Sequence, residues 1–143
     1  MDSTSITDAD QGTKIFGSWP SFHDAEVIRL EFVRRDPLVS GPILLADIHA
    51  FEMTDQIDSE GFYVLRKHTL VSLRFEGIDR LKLEGFNHQN ALSGLDVIDI
   101  RSRQMENLAF EVHFDSSFGV QCEFMCHDVL VERVRPWTPD RAR

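Results

Sequence analysis

From Leu108 to Asp115 the chain reads LAFEVHFD, in which apolar and polar positions alternate without a break. A side-chain repeat of two belongs to a strand with one face in a core and the other in water. Leu108, Phe110, Val112 and Phe114 take the inner face, with Ala109, Glu111 and His113 outside. The same pattern recurs along the chain. VIRLEFVRR sets Ile28, Leu30 and Phe32 against Arg29 and Glu31, and PILLADIHAF sets Leu44, Ala46, Ile48 and Ala50 against Asp47 and His49. VLRKHTLVSLRFEG sets Leu65, Val71, Leu73 and Phe75 against Arg66, His68, Ser72 and Arg74. RLKLEGF continues with Leu81 and Leu83, GVQCEFMC places Val120, Cys122, Phe124 and Cys126 inward, and DVLVERV supplies a last strand. Parallel strands, covered by helices on both faces, read as continuous apolar runs, so this alternation points to antiparallel pairing.

Short connections agree with that reading. DSSFG joins two alternating runs with a glycine at its end, a hairpin signal, and GID is a second tight link. Helical candidates are few and short: TKIFGSW near the start and ALSGLDVI after Asn90. The expected fold is therefore mainly β (α+β), an antiparallel sheet of about seven strands with one or two short helices. A sandwich or a partly open barrel both satisfy it.

The 143 residues fit a single domain spanning 1–143, and 42% apolar content with 11 phenylalanines supplies a core. Residues 1–12 are polar and acidic and are expected to fray, and 136–143 read as an extended basic tail. A net charge of −9 repels phosphate backbones, which argues against nucleic acid and in favour of a basic partner. Cys122 and Cys126 on one strand would stand roughly 13 Å apart, too far for a disulfide, and two unpaired thiols suit a reducing compartment. The N-terminal residues MDSTSITDADQGTK carry no signal-peptide pattern, and no apolar run reaches the roughly 20 residues of a membrane span. The expected location is the cytoplasm, away from membranes.

Four constellations are candidates for function. In WPSFHDAEV, Ser21 precedes Asp24 by three positions, a capping pattern that makes this stretch one helical turn over a packed Trp19 and Phe22. The competing reading takes His23 and Asp24 as metal ligands. His49, His68 and His113 fall on outward strand faces and would converge on zinc if their strands were neighbours in register. In GFNHQN, the residues Asn87, His88, Gln89 and Asn90 either line a hydrogen-bonding pocket or cap a turn and the short helix after it. FEMTDQIDSEGF is a long acidic connection carrying Glu52, Asp55, Asp58 and Glu60 without the spacing of a calcium loop. A nucleophile elbow and a glycine-rich phosphate cradle are both missing from the sequence, so neither a catalytic residue nor a cofactor is assigned.

In their order and spacing, FGSWPSFHDAEV, IHAFEMTD, LRKHTLVSLRFEGI and FNHQN resemble the immunity protein 50 family of bacterial polymorphic toxin systems, over residues 15–126. The resemblance implies a cytoplasmic protein that binds and neutralises a cognate toxin made by the same or a sibling cell. It names no contact residues. Glu52, Asp55, Asp58 and Glu60 are chosen as the toxin-binding segment because an acidic loop suits a basic partner. A metal-dependent hydrolase using His23, Asp24, His49, His68 and His113 is the alternative, and a small-ligand binder at FNHQN is a third reading.

Overall fold

The computed structural model describes residues 6, 20–34, 41–61 and 63–137. Eight strands follow in chain order: β1 (Glu26–Val33), β2 (Ile43–Ile57), β3 (Tyr63–Glu76), β4 (Asp79–Glu84), β5 (Ala91–Asp99), β6 (Phe110–Phe118), β7 (Gln121–Cys126) and β8 (Asp128–Pro136). All pairings are antiparallel, in the spatial order β4-β7-β6-β5-β1-β2-β3-β8. The sheet is not closed, and β4 and β8 are its two edges.

Two half-sheets meet at a narrow seam. β1 and β5 pair only at Glu26 and Ala91, supported by Val27 N–H to Asn90 O and Leu92 N–H to Ala25 O, each 2.9 Å. Around that seam the sheet curls. β3 and β6 stand four places apart in the strand order, roughly 19 Å across a flat sheet. Yet the Phe75 ring of β3 lies 5.9 Å from Phe114 of β6 and 5.0 Å, edge-on, from Phe124 of β7. These three rings join Leu44, Ile48, Val71, Leu73, Val112 and Cys122 in a single buried core. Fully burying each large apolar side chain contributes about 1.5–3 kcal/mol, so the facing rings hold the two halves together.

Most alternating runs occupy the faces their sequence implies; β4 does not, since Leu81 and Leu83 are exposed with the rest of that edge strand. Leu44, Ala46 and Ile48 of β2, Val71, Leu73 and Phe75 of β3, and Phe110, Val112 and Phe114 of β6 are buried, as are Val120, Cys122, Phe124 and Cys126. β1 departs from expectation at two residues, Ile28 and Phe32, both of which are exposed. The register moves between Val27 and Arg29, so Ile28 sits in a bulge and is exposed while Val27 is buried.

The expected helix over ALSGLDVI is strand β5. Its register slips between Leu92 and Gly94, so Leu92 and Leu95 both face the core three residues apart. A bulged strand thereby imitates helical spacing. The other helical candidate, TKIFGSW, lies outside the described residues, where the helical content is one 3₁₀ turn at Arg101–Arg103. The expected loop at 51–62 is also mostly strand, since β2 runs on to Ile57 and β3 starts at Tyr63. Of residues 1–12 only Ile6 is described, and it is buried in the core cluster. At the other end Pro136 closes β8 opposite Thr69, and residues 138–143 lie outside the described residues.

The opening motif is a turn, though not a helical one. Phe22 and Asp24 have φ of 60° and 63°, in the left-handed region, which a right-handed helical turn excludes. Ser21 Oγ accepts from the His23 N–H at 3.2 Å, and Asp24 reaches His23 Nδ1 at 3.1 Å instead of capping the backbone. Phe22 is buried as expected, and Trp19 lies outside the described residues.

Candidate interaction surface

Strand register places the acidic segment on an extension of β2 and β3. β1 begins opposite His49 and β8 ends opposite Thr69, yet β2 and β3 continue to pair through Glu52 with Arg66, Met53 with Leu65, and Ile57 with Tyr63. Beyond Ala50 and Thr69, therefore, the described residues form a two-stranded arm roughly 23 Å long. Glu52, Asp55, Asp58 and Glu60 all lie on this arm or its turn. Asp58 closes the turn: its Oδ1 accepts from the Glu60 N–H at 2.9 Å and its carbonyl from the Gly61 N–H at 3.2 Å. Glu52 pairs with Lys67 at 2.9 Å. Ile57, at the arm's tip, is 63% exposed.

The base of the arm is irregular and aromatic. Register shifts between Ala50 and Glu52, and Lys67 has a φ of 56°. Here His49 Nε2 meets His68 Nδ1 at 2.9 Å, with the Phe51 ring 5.7 and 5.9 Å from the two imidazoles. Burial first, and then the neighbouring His68, lower the pKa of His49 below the ordinary histidine value. The Trp137 N–H donates to the His68 carbonyl at 3.1 Å, tying the end of the last strand to the same point.

β4 ends, β5 begins and the β6–β7 hairpin turns together, at the end of their half-sheet that faces away from the arm tip. FNHQN forms a locked connection there. The Asn87 N–H donates to Asn90 Oδ1 at 2.9 Å, and Asn90 Nδ2 returns to the Asn87 carbonyl at 2.7 Å. Asn87 Nδ2 donates to the Gly85 carbonyl at 2.8 Å, while its Oδ1 accepts from the Gln89 N–H at 3.0 Å. The amides of Asn87 and Asn90 are thus turned onto their own backbone, while His88 and Gln89 remain exposed. Asn90 also sits beside the opening motif, its carbonyl accepting from Val27 and the Leu92 carbonyl from Asp24 at 2.8 Å. Two motifs some sixty positions apart in sequence are one substructure.

Glycine is required where this connection touches the hairpin. A Cβ on Gly85 would stand 2.4 Å from the Gly119 carbonyl oxygen, and one on Gly119 would stand 2.2 Å from that of Gln89. Both glycines have positive φ. Next to them in sequence, Phe86 is 47% and Phe118 52% exposed. Neither these rings nor Ile57 stood out in the sequence. The available signal was a large apolar residue next to a turn glycine, where a chain that merely turns carries small polar residues.

The three outward histidines do not converge. His49 and His68 touch, but His113 is three strands from β2 in the order, roughly 14 Å away. It lies between Glu111 and Glu123, 3.3 Å from each, with Arg103 and Lys82 pairing with those carboxylates. Among the described residues no group of three or more His, Cys, Asp or Glu is placed to hold a metal ion. Cys122 and Cys126 are unpaired, and burial pushes both thiols up to about 12, far from nucleophilic use at neutral pH. Among the described residues no helix is long and apolar enough to cross a membrane.

A family model described as Immunity protein 50 matches residues 10–137. No curated protein and no solved structure matches the chain.

Proposed function

The chain belongs to the immunity protein 50 family, and from that membership we propose that it binds and neutralises a cognate bacterial toxin by direct, stoichiometric contact. The protein acts in the cytoplasm and performs no catalysis of its own. Family membership carries this reading, and the charge supports it: a chain of net charge −9 is steered towards a basic protein and away from nucleic acid. The arm bearing Glu52, Asp55, Asp58 and Glu60 is the proposed first point of contact. Among the described residues it runs on past its flanking strands β1 and β8, which supports it as the segment that meets a basic partner. Charge complementarity of this kind chiefly raises the rate of encounter.

The test is a pull-down with the intact chain as bait from its producing strain, at low and high salt. The expected result is recovery of one secreted protein with a basic C-terminal domain, less of it at high salt. A blank at both salt concentrations, with stoichiometric metal in the purified chain, would favour the hydrolase alternative.

A further inference from the structure

Exposed phenylalanines on a soluble domain are individually ordinary, but Phe86 and Phe118 share an unusual setting. Each adjoins a glycine that the packing of the other's loop requires, since Gly85 and Gly119 approach too closely to admit a Cβ. The loop carrying Phe86 is fixed by the four hydrogen bonds of Asn87 and Asn90. The hairpin carrying Phe118 is fixed by Ser116, whose Oγ donates to the Gly119 carbonyl at 3.2 Å and whose N–H donates to Gln121 Oε1 at 3.1 Å. Two large rings are therefore displayed half out of the protein on backbone that is already ordered.

We propose that Phe86 and Phe118 are the apolar anchors of the toxin interface, entering apolar recesses on a protein surface with a basic rim. This rests on the toxin-inhibitor reading above and goes beyond it by naming a second part of the surface. Aromatic side chains dominate interface energetics, and residues ordered before binding lose little conformational entropy on docking. Charge selects the partner. Glu84 precedes Gly85, and Asp24 is hydrogen-bonded into the strand that follows Asn90, so carboxylates border the rings. A basic protein rim satisfies them, whereas an anionic lipid surface is repelled. β5 leaves Glu26 in the direction the arm takes, so the loop carrying Phe86 and the hairpin carrying Phe118 lie at the end of their half-sheet away from the arm tip, and a partner that takes both spans the β1–β5 seam. They divide the work: the arm's charges govern association, and the buried rings govern dissociation.

The protein recovered in the pull-down, purified separately, is the probe. Its association and dissociation rates are measured with the wild-type chain, Phe86→Ala, Phe118→Ala, and Ile98→Ala as an exposed apolar control at the far end of β5. Melting temperatures confirm that every variant is folded. At least one of the two phenylalanine variants should dissociate about tenfold faster with an unchanged salt dependence, and Ile98→Ala should match the wild type. Wild-type rates in both phenylalanine variants overturn the anchor assignment and leave the toxin-inhibitor reading standing. Failure of the wild-type chain to capture any basic protein overturns both. Loss of binding to anionic vesicles in the same variants, with toxin binding intact, would assign the rings to a membrane instead.

Discussion

His49 and His68 hold their ring nitrogens 2.9 Å apart at the point where β2 and β3 leave the cover of β1 and β8. One ring donates and the other accepts, an arrangement that two protonated imidazoles cannot make. Burial and His68 hold the pKa of His49 down, so the unfolded chain takes up a proton before the folded one does. Stability from this site is complete above the unfolded value of about 6.5 and is lost as pH falls through the lowered folded value. Hydrogen exchange at Ala50 and Thr69, corrected for intrinsic rates, should show weaker protection at pH 5 than at pH 7.5. His49→Gln should flatten that difference. Equal protection at both pH values in the wild type would rule the device out. Glu26 stands opposite His49 on β1, and Glu26→Gln, which removes that charge, should leave the difference in place.

The close approach of Gly119 to Gln89 makes a sharper claim about stability. Gly119→Ala forces a methyl group to 2.2 Å from a carbonyl oxygen at a φ of 82°. Backbone strain and displacement together should cost about 3 kcal/mol or more. Asn90→Ala, which strips both partners from Asn87 in a buried setting, should cost about 1–3 kcal/mol. Chemical denaturation measures both. A Gly119→Ala variant as stable as the wild type would show that the two loops move apart freely.

Buried thiols report on the core. With both cysteines pushed up to about 12, iodoacetamide at pH 8 should leave the native chain unmodified and label two sites once it is unfolded. Mass spectrometry reads the outcome directly. Rapid labelling of the native chain would mean that β7 opens to solvent far more often than its burial implies.

Reversing charge on the arm separates steering from anchoring. Asp55→Lys, Asp58→Lys and Glu60→Lys together should slow toxin association by about tenfold at low ionic strength and reduce its salt dependence. Dissociation should change much less. An unaltered salt slope would move the contact region elsewhere.

Alternation made most of the fold legible. The runs from Leu44 through Ile48, Val71 through Phe75, Phe110 through Phe114 and Val120 through Cys126 are strands with the polarity their alternation implies, whereas Leu81 and Leu83 on the edge strand β4 are exposed. Two of the misreadings share one cause, the bulge. An extra residue near Ser93 set Leu92 and Leu95 at helical spacing, and another at Ile28 reversed its face. A bulge is fixed by the partner strand, which local pattern does not contain. The acidic stretch read as a loop because its polar residues hid a strand pairing that depends on Tyr63–Glu76 alone. SFHDAE and FNHQN both stood out in the sequence, but long-range pairing alone joins them into one unit. Phe86 and Phe118 escaped notice because exposure is a property of the folded chain.

Past Ala50 and Thr69 neither β1 nor β8 continues beside the arm, and apart from the Trp137 bond to His68 its outer half takes its register, among the described residues, from the pairing of β2 with β3. Residues there are free to be exchanged, inserted or removed in cross-strand pairs while the eight-stranded body stays unchanged. A lineage facing a succession of different toxins would then diverge fastest in the arm and slowest at Gly85 and Gly119, where a side chain meets backbone. Recognition would drift while the scaffold holds still, and transplanting one arm onto another member's sheet would transfer part of its specificity.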